Sequence, residues 1–303
     1  MSQRWNSPKD MSTVHRTQVF SGGACNILDD TGTLLRNAER DRINDWLTDS
    51  NIVFFDPQIH PDTHGVEYDY HVHQPLEMAA RKSAKINLYE VSPRSFGGIT
   101  SLEIAVDRFR FLEPMVVYYS DADPDHDDIP AYSKMGHPLF VPTGIEDYEA
   151  AMNAHYKEFR KNGNNMRKYL LAFAREISTL TVTFGAPIHA RDIVITPDRM
   201  HAVDLFRAVV RANSGERVFV NFTGGDKARD ERGNPIFMLP ENPSEVSKKA
   251  LLDEYVDEGN ELRKSIVELL HINVFVRVVY TQRSAILALE ELLRIKGVVK
   301  HTA

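Results

Sequence analysis

Glu103 follows a glycine pair in the run Phe96-Gly97-Gly98-Ile99-Thr100-Ser101-Leu102-Glu103. A strand predicted over 86–91 runs into that turn, and a second apolar strand, 114–119, follows the helix on which Glu103 stands. The unit is βαβ, with one carboxyl at the carboxyl edge of the sheet, where open α/β folds place their chemistry. A helix N-terminus carries roughly half a positive charge, which would keep Glu103 ionised at neutral pH. An ionised, partly desolvated carboxylate can act as a nucleophile. A glutamate that only complements the helix dipole has the same spacing, so both roles stay open here.

Two more turns would reach the same edge. Ser21-Gly22-Gly23 closes a strand at 17–20, and Asp56-Pro57 closes one at 52–55. Between them Leu34, Leu35, Ala38, Ile43, Trp46 and Leu47 fit one helical face. A further helix is expected over 75–82, after a long loop at 58–74. The alternation predicts an α/β fold with a parallel sheet and right-handed crossovers.

Beyond residue 121 the chain is acidic and irregular, and Asp121 to Asp128 lacks the central glycine and closing glutamate of a calcium loop. Helix is expected over 145–177, with a break at Gly163-Asn164-Asn165, then strands and helices alternate again to a last helix over 284–295. The expected organisation is a polar tail at 1–13, an α/β domain at 14–142, a helical connector at 143–182 and a second α/β domain at 183–303. The second half echoes the first. Val220-Asn221-Phe222-Thr223-Gly224-Gly225 resembles Val19-Phe20-Ser21-Gly22-Gly23, and Ile286 to Glu290 resembles Ile99 to Glu103. Either the second half is a degenerate repeat or both halves share a Rossmann-like periodicity.

Composition excludes several classes. The 303 residues carry a formal net charge of −7 with no long basic run, which argues against nucleic acid as a partner. No apolar stretch approaches the roughly 18 residues of a membrane helix, so no membrane partner is expected. Cys25 is the single cysteine, so no internal disulfide and no cysteine metal cluster can form, and a reducing cytoplasm is the expected compartment.

The three turns, with the run from Gly97 to Ala105, resemble the nucleoside 2-deoxyribosyltransferase family, whose superfamily includes nucleotide N-glycosidases. The resemblance covers residues 14–142. It implies a flavodoxin-like sheet, no metal or organic cofactor, and a nucleoside or nucleotide as the small-molecule partner. It also implies a homo-oligomer in which a neighbouring subunit can complete the site. In such a protein Glu103 would attack the anomeric carbon and displace the base, and another base or water would resolve the glycosyl-enzyme. The chain departs from the family pattern at Lys85, at Ala105, and at Ser95-Phe96, where no acid precedes the turn.

Breaking an N-glycosidic bond needs a group to meet the sugar centre and a proton for the departing base. Retaining glycosidases use two carboxyls about 5 Å apart. Glu103 can supply one, and Asp56 and Glu90, both at strand ends, are the candidates for the other. Asp56 also fits a plain turn former before Pro57, and Glu90 an outward position on its strand. Ser21, Gly22, Gly23, Ser92, Gly97 and Gly98 offer N–H groups and hydroxyls to a sugar or a 5′-phosphate. Tyr68 and Tyr70 fit a lid that stacks on a base. The same stretch holds His60, His64, His71 and His73, which offers a rival reading as a metal-dependent hydrolase. In that reading His71-Val72-His73 is extended, with both imidazoles on one side. A third reading is a non-catalytic nucleotide-binding or scaffold protein, with the second half as an interaction domain.

Overall fold

The computed structural model describes residues 14–24, 26–28, 33–59, 69–92, 95–110, 113–120, 148–185, 192–195, 201–222, 228–229, 235–236, 244–270 and 275–299. Strand β1 (Val19–Gly23) is followed by a short antiparallel pair, β2 (Asn26–Leu28) and β3 (Leu34–Arg36). Helix α1 (Ala38–Asp49) leads to β4 (Phe54–Phe55), α2 (Tyr70–Ser83) to β5 (Ile86–Val91), and α3 (Gly98–Arg110) to β6 (Met115–Tyr119). Then come α4 (Tyr148–Glu176), β7 (Leu180–Phe184), β8 (Ile193–Ile195), α5 (Ala202–Asn213) and β9 (Val218–Phe222). A short pair, β10 (Ala228–Arg229) and β11 (Pro235–Ile236), precedes α6 (Glu245–Leu270), β12 (Val276–Val279) and α7 (Gln282–Ile295).

The helix starts are written locally. Asn37 caps α1 by accepting from the Arg40 amide, Asp69 caps α2 by accepting from His71, and Thr281 caps α7 by accepting from Ser284. Short polar side chains satisfy N–H groups that no helical carbonyl can reach.

The main sheet is parallel throughout, in the order β12-β6-β5-β1-β4. From the β4 edge, and counting only its own strands along the chain, that is 2-1-3-4-5. This is the flavodoxin-like order, whose switch point lies between the first and third strands. Here those strands are β1 and β5, in register with Val19 opposite Ile86 and Gly23 opposite Glu90. Both faces are covered, as a parallel sheet requires. Val19, Ile86, Leu88, Val116 and Tyr118 meet α1 and α7 on one face. Phe20, Tyr89, Val91, Val117 and Tyr119 join α2 and α3 on the other.

The fifth strand changes the expected domain plan. β12 pairs with β6, so residues from within 183–303 complete the first sheet. The segment between β6 and β12 is therefore a long insertion in a flavodoxin-like fold. It carries its own parallel sheet, β7-β9-β8. Its helices α4, α5 and α6 pack on α3, and its apolar residues share one core with that face of the main sheet. The apparent echo is split between the two sheets: β9 belongs to the small one, while α7, which carries Glu290, covers the large one.

Four local expectations also change. Leu34 and Leu35, expected on one helical face with Ala38 and Ile43, stand in strand β3, and α1 begins only after the Asn37 cap. Ser21-Gly22-Gly23 is the end of β1 rather than a turn after it. α2 begins at Tyr70 rather than Pro75, which lies inside the helix. α4 runs through Gly163-Asn164-Asn165 unbroken, held by apolar burial on both sides of that point, at Phe159 and Met166.

Candidate active site

A cleft of about 160 Å³ opens at the carboxyl edge of the main sheet, at the switch point. β1 brings Gly23 and Ala24 to it, the stretch after β4 brings Pro57 and Ile59, and α2 brings Glu77. Ser95, Gly97, Gly98, Ile99, Thr100 and Glu103 come from the turn and first half of α3. α4 forms the facing wall with Glu158, Lys161, Asn162, Asn165 and Tyr169, spaced as one helical stripe.

Glu103 is where the spacing put it, on the wall of a cleft beside the β1 and β4 ends, but its environment differs. It stands in the second turn of α3, whose first turn holds no acid, and the dipole effect fades within one turn. Its residue is only 5% exposed. Burial pushes its carboxyl up to about 8; the Arg81 guanidinium pulls the other way, and the charges of Glu77 and Asp107 add to the push. Burial thus favours the protonated form of Glu103, the opposite of the push expected from the helix dipole.

The turn before α3 is built for close approach. Gly97 has φ +66°, a conformation that disfavours side chains. A methyl on Gly98 would run into the Met166 sulfur of α4. The insertion also grips the turn from α6. Arg263 donates to the carbonyls of Ser92, at 2.9 Å, and Ser95, while Phe96 stacks on Tyr255 with ring centroids 4.1 Å apart.

Neither expected partner carboxyl lines the cleft with Glu103. Glu90 is on the opposite face of the sheet, because it alternates with Tyr89, which points to α3. Its oxygens accept from Asn37 Nδ2 at 2.6 Å and from the Ser120 hydroxyl, tying the ends of β5, β6 and α1 together. Asp56 is bound by the Arg40 guanidinium, by Asn44 Nδ2 at 2.8 Å and by the Gln58 amide at 2.9 Å. It faces an adjoining pocket of about 10 Å³ beside His73, and that pocket shares Pro57, Ile59 and Glu77 with the cleft.

Of the expected binding residues, Gly23, Gly97 and Gly98 line the cleft. The Ser21 hydroxyl instead donates to Asn44 Oδ1 at 2.7 Å, on the α1 face. Gly22 lies under the Phe20 and Tyr89 rings, where no Cβ would fit. The Ser92 carbonyl is taken by Arg263. Tyr70 supports the far wall: its hydroxyl donates to the Lys168 carbonyl at 2.9 Å, and its ring meets Tyr169 edge-on at 5.7 Å. Tyr68, His60 and His64 lie outside the described residues. His71 and His73 sit on helix α2, two residues apart, so they point to different sides and not to one side of a strand. His73 Nδ1 accepts from the Asp69 amide at 2.7 Å. Among the described residues no three His, Cys, Asp or Glu are grouped as metal ligands.

No family model, curated protein or solved structure matches this chain. The site is defined by its own geometry.

That geometry adds residues the motifs did not single out. Glu77 is 4% exposed, accepts from the Tyr169 hydroxyl, and shares the cleft with Glu103. Behind Glu103, Arg81 is fully buried and donates to Glu103 Oε1 at 3.3 Å and to both Asp107 oxygens. A signal existed in the sequence. Glu77 and Arg81 are four apart among Leu76, Met78 and Ala80, and Glu103 and Asp107 are four apart among Leu102, Ile104, Ala105 and Val106. Ionisable residues on the apolar stripe of a helix are buried, and buried charges need partners. Among the described residues no helix is long and apolar enough to cross a membrane.

Proposed function

We propose that this protein cleaves or transfers a glycosyl group at the N-glycosidic bond of a nucleoside or nucleotide, with Glu103 and Glu77 as its working pair. The observation that carries the reading is that two carboxyls share one cleft wall at the switch point of a flavodoxin-like sheet. The resemblance of the turns to nucleoside 2-deoxyribosyltransferases points the same way. A homo-oligomer in a reducing cytoplasm belongs to the same proposal.

The two carboxyls divide the work by protonation. The departing base needs a proton, and burial favours the protonated form of Glu103. The sugar centre gains positive charge as the bond breaks, and Glu77, oriented by the Tyr169 hydroxyl, is the carboxylate that meets it. The C1′–N pair goes to the base nitrogen, which takes the Glu103 proton. The anomeric carbon passes to a Glu77 oxygen. A second base or water then attacks that carbon and returns its proton to Glu103. The family pattern would have Glu103 attack; its bound proton is the reason for exchanging the roles. A cleft of about 160 Å³ encloses one ring system, since a cavity near 150 Å³ holds benzene. The rest of the substrate would lie along the polar stripe of α4.

A panel of nucleosides and nucleotides, read for free base with and without an acceptor base, tests this. Release should depend on Glu103, and in Glu103→Gln it should return with substrates whose leaving group needs no proton. No free base from any member of the panel would sink the reading. Failure of activated substrates to rescue Glu103→Gln would return the attacking role to Glu103.

A further inference from the structure

The Arg81 guanidinium is the nearest cation to Glu103, yet Glu103 is not its principal partner. Nε at 3.2 Å and Nη2 both donate to Asp107, one to each oxygen, while Glu103 Oε1 receives only Nη1 at 3.3 Å. Asp107 also accepts from Asn87 Nδ2 at 2.8 Å and from the Tyr89 hydroxyl. Four donors therefore converge on Asp107. Among the described residues the Glu103 carboxyl meets one. A carboxyl saturated with donors is favoured as the anion, and a buried one with a single long contact is favoured as the acid.

We propose that Asp107 is a positioning residue: by holding Arg81 through two nitrogens it leaves Glu103 a single long contact to that cation and keeps Glu103 as the proton-bearing acid of the cleft. The inference rests on reading Glu103 as the proton donor, but it concerns the side chains alone and can be tested without substrate. The charged and titratable groups around Glu103 are Arg81 and Glu77 from α2, Asp107 from α3, Tyr89 from β5 and Arg40 from α1. Glu158, Lys161 and Tyr169 face it across the cleft from α4. Of these, Asp107 alone both competes for Arg81 and adds negative charge, so its removal acts twice in one direction.

Carbon-13 NMR titration of the side-chain carboxyls in the full chain is the test. In the wild type Asp107 should stay ionised through the neutral range while Glu103 titrates on the alkaline side. In Asp107→Asn, Glu103 should become the counter-ion of Arg81, and its midpoint should fall by about one to three pH units, the range for a carboxyl beside an opposite charge. Asp107→Glu should restore most of the wild-type midpoint. The alkaline limb of the kcat/KM profile should move down with the midpoint in Asp107→Asn. An unmoved Glu103 midpoint in Asp107→Asn would overturn the inference. So would a wild type in which Asp107 carries the proton, a result that holds even if the variant does not fold. A shifted midpoint in a protein that releases no base would sink the N-glycosidic reading and leave this inference standing.

Discussion

Replacing Glu103 with glutamine removes a buried proton-binding group and keeps the shape of the cleft wall. The amide oxygen can still accept from Arg81 Nη1, as Oε1 does at 3.3 Å. What changes is the coupling of stability to pH. The Glu103 carboxyl is raised from 4.5 to about 8 by burial, so the folded chain binds its proton more tightly than the unfolded chain. Between those values the folded state holds more protons, and stability falls as pH rises. The contribution is fully present below 4.5 and lost as pH passes about 8. Each tenfold change in proton affinity is about 1.4 kcal/mol, so the whole loss is about 5 kcal/mol. That is comparable to the entire stability of many domains, about 5–15 kcal/mol. Thermal unfolding of both proteins should agree near pH 4. By pH 9 the wild type should melt lower than Glu103→Gln, by a gap on the order of 10 °C. Parallel melting curves across that range would refute the assignment of a buried proton to Glu103, and with it the division of labour between the two carboxyls.

Other perturbations test the neighbouring parts. Glu103→Gln should slow cleavage of unactivated nucleosides by about 10²–10⁴-fold, the usual worth of a positioned proton donor. Glu290→Ala, partly exposed on α7 and paired with Arg294 at 2.7 Å, should leave it unchanged; equal losses in both variants would place the chemistry elsewhere. Gly98→Ala should cost about 1–3 kcal/mol, because its methyl meets the buried Met166 sulfur; a denaturant midpoint equal to the wild type would show that the Met166 side chain moves aside freely. Arg263→Met should release the Ser92 and Ser95 carbonyls, costing about 1–3 kcal/mol for each that stays unsatisfied, and raise KM more than it lowers kcat. An unchanged KM would separate α6 from the cleft.

What the sequence determined by itself was local. Alternating apolar strands and amphipathic helices announced a parallel α/β sheet, since each element writes its own period of two or 3.6. The glycine pair before Glu103 marked the turn between strand and helix, and the φ at Gly97 supplies a reason for it; the close contact at Gly98 appears only in the packed structure. The caps at Asn37, Asp69 and Thr281 are also local, each a bond that closes within three residues, although the helix after Asp69 was expected only from Pro75.

Only the tertiary structure decided which side chains share a space. Glu90 and Glu103 both belong to the carboxyl edge, but strand alternation sends Glu90 to the α1 face while α3 lies on the other. Asp56 looked free in sequence and is held by Arg40 and Asn44, residues of a helix before its strand. Glu77 looked like one more helix position until α2 packed it beside Glu103 and Tyr169. β12 joined the first sheet because a parallel edge has hydrogen bonds to complete, whatever the length of chain in between. Proton affinity is non-local for the same reason. The Glu103 carboxyl is set by burial and by Arg81, Glu77 and Asp107; Asp107 shares its helix, but Arg81 and Glu77 reach it only once α2 and α3 are packed together.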